Sequence, residues 1–423
     1  MISSPGLRKA FPSLNLPKSI VTTLNSPILG IVLWLSTIFM VSQIFIWSLF
    51  LFIALSRYVV NKRTFDIRQK WGLYTLLTIA LANLGNQLLG GTFILQVSKP
   101  PFYIMYIFTF IAALQLNKND LRFFLWLVCG ECLLAIVQFL LGINSFFFQD
   151  PNFRSMLWEI NLYSGRVIGL SDGIPSMGYK LFVGIILISF LKHKENSAKQ
   201  NLLGAALLMT VLLLNFHRSS ILGTILFLIL FSVNNKSKMW IRPTLVSLAS
   251  YVGLLLLRPL IGPWIISQIG PLGPIESIQH GNNVLVAHSM YSVAYRDEIF
   301  SNATNFIKDN LLFGNHSVKY SSYIQSQELV QHAHNSFLQI FATSGVVIGL
   351  MYLFFIGIGF KLKRYTLLLP FLVISMTQYG IFWGISFLDI FFLAFVYSDV
   401  LDTNSSGRFF NSQAGASAQT QEI

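Results

Sequence analysis

The chain has 423 residues, of which 54% are hydrophobic and only 11% charged. A soluble body carries about 25% charged residues, so this composition excludes an ordinary water-soluble fold, and its hydrophobicity excludes a disordered chain. Two Cys cannot build a disulfide scaffold, and a net charge of +13 on so apolar a chain points to a basic ligand surface or to membrane orientation.

Residues 1–25 are polar and basic, and the apolar stretch after them is too long for a signal-peptide core, so no cleavage is expected. A helix crosses the bilayer core with about 20 mostly apolar residues. Ser26–Val60 runs to roughly 35 residues with Arg57 as its single charge, too long for one span and suited to a tight helical hairpin. Single spans follow at Trp71–Val97, Pro101–Leu116 and Leu121–Phe147. Met177–Leu191, Leu202–Phe216, Ser219–Val233 and Pro243–Leu257 continue the series. After a long polar interruption come Asn335–Phe360, Thr366–Gly380 and Phe382–Tyr397. With the hairpin counted twice, the fold class is an all-α integral membrane protein of about 12 spans (about 10–12) with one large, partly helical external loop. The chain then divides into a transmembrane bundle over 1–257, the loop over 258–334, C-terminal spans over 335–400 and a Ser-, Gln-, Ala- and Gly-rich tail over 401–423 that reads as disordered.

The placing of charge tests this reading, since cytoplasmic loops are enriched in Lys and Arg. With the N-terminus inside and each span switching sides, the inner pieces are 1–25, 57–70, 117–122, 192–200, 234–242, 361–364 and the tail. They hold 20 of the 29 basic residues against six acids, while the outer pieces hold eight of each. Read as one span, Ser26–Val60 would put the basic N-terminus outside, so the hairpin is favoured. The charge excess is then an orientation signal rather than a polyanion-binding surface, and no nucleic-acid partner is expected.

The unusual polar residues collect on the outer side. In the loop, Arg258-Pro-Leu-Ile-Gly-Pro-Trp264 and Gly270-Pro-Leu-Gly-Pro274 read as irregular, whereas Tyr291–Ile307 has a helical pattern. The loop has room for a few short helices. Five of the seven His lie in it, namely His280, His288, His316, His332 and His334, and His217 sits beside Arg218 at another outward turn. A second outer segment, Phe148–Ser176, carries Arg154, Arg166 and Asp172. Cys129 and Cys132 form a Cys-x-x-Cys beside Glu131, but mid-span, where small packing residues are the simpler reading. His332 and His334, two apart, point to different faces of a helix and lack an obvious acidic partner, so no metal site is assigned. Hydrolase signatures are read as absent, with no His-Glu-x-x-His, Gly-x-Ser-x-Gly or Walker glycine loop expected.

The most informative string is His332-Ala-His334-Asn335-Ser-Phe-Leu-Gln339, running on to Gly345 and Gly349 where the outer loop re-enters the bundle. His-Asn, nine residues, then Gly resembles the signature of the O-antigen ligase and polymerase superfamily of integral membrane glycosyltransferases. Arg296-Asp-Glu-Ile-Phe300 followed by Asn310-Leu-Leu-Phe-Gly314 is similar to the block that this superfamily places in the same loop. His217-Arg218-Ser219-Ser220 resembles its arginine–serine turn between two spans, and Arg166-Val-Ile-Gly169 through Pro175 resembles its Arg-x-x-Gly segment. The matched stretch covers Gly165 to Gly349. Two positions depart from the pattern: Ile348, where a small or polar residue is usual, and His316, where a second Gly is common after Gly314.

The resemblance implies transfer of a glycan from an undecaprenyl-diphosphate carrier to an acceptor sugar hydroxyl. The acceptor is the lipid A-core for a ligase and a lipid-linked repeat for a polymerase, a choice the residues leave open. The implied setting is the bacterial inner membrane, with both termini cytoplasmic and the large loop periplasmic; no cofactor or metal is implied. Arg suits such a reaction because its fork grips phosphate oxygens and stays charged as the leaving anion develops. His suits it as a proton acceptor because its ordinary pKa lies near working pH. On this basis His334, Arg218 and Arg296 are the expected catalytic residues, and Arg166, His217, His332 and Asn335 the expected substrate-binding ones. The alternative is a multi-pass transporter or flippase for a lipid-linked sugar or small anion, which rests on the intramembrane polar residues Asn83, Asn86, Gln87, Glu131, Lys180 and Asp389.

Overall fold

The structure, a computed structural model, describes residues 26–38, 43–61, 64–90, 102–141, 166–191, 198–235, 240–269, 296–315, 320, 322–323, 329–330, 333–362, 364–377, 380–382 and 386–401. These residues form an all-α architecture with one two-residue strand pair. In chain order the helices are α1 (Ile28–Leu35), α2 (Gln43–Asn61), α3 (Ile67–Leu89), α4 (Phe102–Ala113), α5 (Lys118–Leu141), α6 (Ile174–Phe190), α7 (Ala198–Asn215), α8 (Arg218–Asn235) and α9 (Ile241–Ile269). Then follow α10 (296–309), α11 (Ser336–Lys361), α12 (Tyr365–Thr377) and α13 (Phe387–Tyr397). Between α10 and α11, β1 (Ser322–Tyr323) pairs antiparallel with β2 (Leu329–Val330), Ser322 opposite Val330.

The sequence starts its helices with local chemistry. Asp66 and Gln69 close a capping box at α3, and Ser386 and Asp389 close another at α13. Asn117 and Asp120 exchange side chain-to-backbone bonds at the start of α5 (3.0 and 2.9 Å), and Pro175 stands in the first turn of α6. Helices α6 and α13 are apolar on all sides and are buried almost throughout, so they form the centre of the bundle. Around α13 sits an aromatic core of Phe110, Phe355, Phe371, Phe382, Phe391, Phe392 and Tyr397. The outer helices instead expose Leu, Ile, Phe and Trp, as at Trp71, Leu81, Leu89, Trp126, Leu248 and Leu256. Exposed apolar surface on that scale suits a lipid solvent rather than water.

The span count is coarser than expected. Among the described residues α5, α8 and α11 are long and apolar enough to cross a membrane. The Ser26–Val60 window does break into two helices, but its first arm, α1, has eight residues. That is about 12 Å of rise against a hydrocarbon core of about 30 Å. Helix α1 ends because Thr37 and Ile38 turn to join another segment: Asp172 N donates to Thr37 O, and Ile38 bridges Ser171. The expected irregular run at Arg258 is instead helical, since α9 continues to Ile269. The prolines there interrupt an otherwise apolar, helix-compatible run, a context in which membrane helices tolerate proline. The Phe382–Tyr397 window starts late, at Phe387, because Phe382 and Ser386 are pulled onto the Asp389 carboxylate. The tail, the N-terminal 25 residues and most of the loop between α9 and α10 lie outside the described residues.

Hydrogen bonds gather the helix ends into two groups. In one, Arg57 pairs with Asp120 and reaches the carbonyls of Ser26 and Gln115. Gln69 donates to Tyr397 O (3.3 Å), Arg364 pairs with Asp399 (3.2 Å), and Tyr365 Oη donates to Asn234 Oδ1 (2.6 Å). In the other, 166–172 is tied to 215–218, and 296–315, 333–345 and 376–382 are tied to one another, with the Arg296 charge acting on His217 between the two sets. The first group contains residues from the pieces read as inner, the second residues from the pieces read as outer.

Candidate functional site

The second group of ends builds the site. Its first part is a non-helical strap, residues 166–172, which turns at Gly169–Leu170 and is laid along α5. Gln138 Oε1 accepts from Ile168 N (3.1 Å) and Gly169 N (2.9 Å), and Glu131 Oε1 accepts from Leu170 N (3.0 Å) and Ser171 Oγ (3.1 Å). Glu131 is held in turn by Lys180 Nζ at 2.6 Å and Trp34 Nε1 at 2.8 Å, with both charged side chains fully buried. At the strap's start, Asn215 Nδ2 donates to Val167 O (2.7 Å), which joins it to the α7–α8 turn.

That turn presents the histidine. Phe216 adopts a left-handed backbone (φ 52°), ending α7 and setting His217 and Arg218 at the head of α8. The His217 Nδ1 lies 2.7 Å from Ser220 Oγ, and its ring meets Tyr179 edge-on at 5.1 Å. Gly178 makes room for it, since a Cβ there would lie 2.6 Å from the His217 Cβ. Arg166 stacks over the Phe216 ring at 5.4 Å. Burial, and then the positive charges of Arg166 and Arg296, push the His217 pKa down to about 3. His217 is therefore a neutral hydrogen-bonding group at ordinary pH, and Arg166, His217 and Arg296 share one electrostatic neighbourhood. Arg218 is half-buried at the first position of α8. Asp172, at the strap's far end, has its pKa raised by burial.

The second part is formed by α10 and the first half of α11. Arg296 opens α10 and donates to Thr377 O (3.1 Å), and Asn335 Nδ2 donates to Met376 O (3.0 Å). Two loop residues far apart in sequence thus dock on consecutive carbonyls at the C-terminal end of α12, where those carbonyls lack helical partners. Asn335 Oδ1 also caps α11, accepting from Phe337 N and Leu338 N. Gln339 Oε1 reaches back to Ala333 N (2.9 Å). Between these two clamps His334 is half-buried with φ 46°, a conformation uncommon for a non-glycine residue. Phe382, the other non-glycine residue with positive φ, follows α12. All three such residues among the described ones fall in this group of ends.

The far ends of α10 and of the first half of α11 are also joined. Gly345 breaks α11 at φ 79°, ψ 177°. Into the break fits the loop 310–315: Val346 N donates to Leu311 O (2.8 Å) and Asn315 N to Ala342 O (2.9 Å). Asn86 on α3 donates to Phe313 O (2.9 Å), and Ser344 Oγ donates to Asn83 Oδ1 (2.9 Å). A small apolar cluster of Ala303, Phe306, Tyr320, Ala333, Leu338 and Ala342 fills the space between.

No protein-family model matches the chain, and no curated protein matches it significantly. The site residues expected from sequence therefore stand on their placement. The charges of Arg166 and Arg296 both act on His217; Asn335, next to His334, shares the α12 end with Arg296; Arg218 adjoins His217. His332 lies outside the described residues, as do His280, His288, His316 and Arg154. Asn335, expected to bind substrate, has its side-chain oxygen and nitrogen engaged in capping and in docking on Met376. Cys129 and Cys132 are free thiols, Cys132 buried, and pack in the apolar core. Among the described residues no group of three or more His, Cys, Asp or Glu converges.

Three features went unread in the sequence. Gly169-Leu-Ser171-Asp-Gly173 does have the Gly-x-Ser-x-Gly spacing of a hydrolase nucleophile, contrary to the expectation that such signatures are absent. Its setting is different, because the Ser171 hydroxyl is fully buried and bonded to Glu131. Gln138 and Asn215 were unread as clamps of the strap. Their signal was polarity within otherwise apolar helices, which requires a buried partner.

Proposed function

We propose that the protein is a membrane glycosyltransferase of the O-antigen ligase or polymerase type, moving a glycan from undecaprenyl diphosphate to an acceptor hydroxyl on the outer face of the bacterial inner membrane. The observation that carries this reading is the joint docking of Arg296 and Asn335 on Thr377 and Met376. It brings the arginine block and the His-Asn motif, which resemble separate parts of one superfamily signature, to one helix end.

The chemistry is direct displacement with inversion. His334 accepts the proton of the acceptor hydroxyl, whose oxygen forms the new bond to the anomeric carbon. The bond from that carbon to the diphosphate oxygen breaks, and the lipid diphosphate leaves with the electron pair. Arg296 and Arg218 stabilise that anion, with Arg166 as a third cation and neutral His217 as a hydrogen-bond partner. The strained backbone at His334 favours a fixed imidazole, since the paired clamps of Asn335 and Gln339 leave it little freedom.

Five of the six intramembrane polar residues behind the transporter reading have structural partners, which favours the glycosyltransferase reading. Asn83 and Asn86 serve the α11 break, Glu131 and Lys180 serve the strap, and Asp389 accepts from Tyr106, Phe382 and Ser386. The deciding experiment is purified protein in lipid nanodiscs with a defined undecaprenyl-diphosphate-linked glycan and candidate acceptors, wild type beside His334→Ala. Transfer by wild type, with none by a well-folded His334→Ala, supports the reading. No transfer to either acceptor class by wild type overturns it.

A further inference from the structure

We propose that α5 is a template that sets Arg166, with Glu131 and Gln138 acting as positioning residues that deliver its guanidinium to the donor diphosphate. This rests on the glycosyltransferase reading above.

The strap 166–172 belongs to no helix and carries backbone donors into a buried setting. Irregular backbone at such depth persists only where protein groups satisfy it. Here the satisfying groups come largely from one helix face. Gln138 and Glu131 are seven residues apart on α5, two turns along one side, and take four donors of the strap in register. Gly169 allows the close approach, with φ 60° and a Cβ that would lie 2.8 Å from Glu131 Oε1. The strap is held from the other side through Val167 O by Asn215, one residue before the left-handed Phe216 on which Arg166 stacks. Every link from Glu131 to Arg166 is therefore a backbone bond or a short side-chain bridge.

Lys180 and Trp34 fix the carboxylate rather than compete for the role. A buried ion pair alone is replaceable by apolar residues of similar volume. What an apolar pair cannot do is accept from Leu170 N. That separates a positioning role from a merely cohesive one and makes it testable.

The experiment compares two double variants of the full-length protein in nanodiscs. E131Q/K180M keeps an oxygen for Leu170 N and removes both charges; E131K/K180E keeps opposite charges and removes that oxygen. With lipid-diphosphate glycan as donor, E131K/K180E is expected to raise the donor KM by about tenfold or more, as for the loss of a charge-assisted contact, with a smaller change in kcat. E131Q/K180M stays close to wild type. R166A matches E131K/K180E, and combining the two adds little, because both remove the same contact. Wild-type KM in E131K/K180E, or multiplied losses with R166A, overturns the proposal. If E131K/K180E fails to fold, Gln138→Leu against Gln138→Glu asks the same question, since only Glu retains oxygens for Ile168 N and Gly169 N. Binding of undecaprenyl diphosphate alone separates this claim from the reaction. Absence of glycan transfer with tenfold weaker probe binding in the strap variants refutes the enzyme reading and keeps the positioning. Equal probe binding in all variants refutes the positioning.

Discussion

Gly345→Ala tests the joint that carries Arg296. Gly345 sits at φ 79°, ψ 177°, a region open essentially to glycine alone, so a side chain there costs about 1–3 kcal/mol in backbone strain. The new Cβ would also stand 2.0 Å from Leu312 O and 2.4 Å from Leu312 C. Both are backbone atoms and cannot rotate away, so the loop 310–315 must withdraw. It then gives up Val346 N to Leu311 O, Asn315 N to Ala342 O and Asn86 to Phe313 O. At about 1 kcal/mol net for each bond, the full loss with the strain comes to about 4–6 kcal/mol. Gly357 is the internal control: it lies in the same helix, and a Cβ there meets nothing within 4 Å. Gly357→Ala should be neutral or stabilising by up to about 1 kcal/mol through helix propensity. The assay is thermal unfolding in detergent followed by glycan transfer in nanodiscs. Gly345→Ala should unfold well below wild type and lose transfer as α10 shifts Arg296 from Thr377, while Gly357→Ala keeps both. An unchanged unfolding midpoint in Gly345→Ala, or equal falls in both variants, refutes the reasoning.

Three further outcomes follow from the site. The His217 pKa lies at about 3 against the usual 6.5, so above pH 6.5 it adds no pH dependence. Between 6.5 and about 3 the unfolded chain binds a proton that the folded one refuses, so acid destabilises by up to about 1.4 kcal/mol per pH unit. His217→Asn should flatten that part of the acid unfolding profile; parallel profiles would contradict it. Asn335→Ala should cost about 0.5–2 kcal/mol through the lost cap, whereas Asn335→Asp keeps the capping oxygen and recovers stability but not transfer, because the bond to Met376 O is gone. Transfer that simply tracks stability in the two variants would reduce Asn335 to a cap. Gly178→Ala should push the His217 ring away from Ser220 and lower transfer, which kinetics beside an unfolding curve will separate from a folding defect.

Helix positions were legible because long apolar runs and capping pairs such as Asp66–Gln69 act locally. Helix lengths were less so. Helix α1 stops at Leu35 because Thr37 and Ile38 are claimed by residues more than 130 positions away, and no local pattern carries that information. The same holds for α11, whose apolar run reads as one span although it is broken at Gly345. A glycine in an apolar helix is common, and only the docking of 310–315 makes this one a hinge of the fold. Motif spacing suggested grouping Arg166, His217, Arg296 and the His334–Asn335 pair. It could not predict their clamps, since Gln138, Asn215 and the Thr377 carbonyl become partners only after folding.

The net charge of +13 and the intramembrane polar groups then have separate physical causes. The excess charge lies in the pieces read as inner, where Arg57 and Arg364 pair with Asp120 and Asp399. Of the polar groups inside the bundle, Asn86, Glu131, Gln138 and Asp389 satisfy backbone that leaves regular helix, at the α11 break, the strap and the Phe382 turn, while Asn83 and Lys180 bond the side chains of Ser344 and Glu131 there. Of these irregular segments, the strap begins at Arg166 itself. A bundle of uninterrupted helices would not need such polar groups, but it would also have no means of turning a backbone inward to present an arginine or a histidine. Buried polarity here marks where the fold departs from helix, and on the proposed function substitutions that remove the Glu131 acceptor for Leu170 N should disturb donor binding without that residue touching the donor.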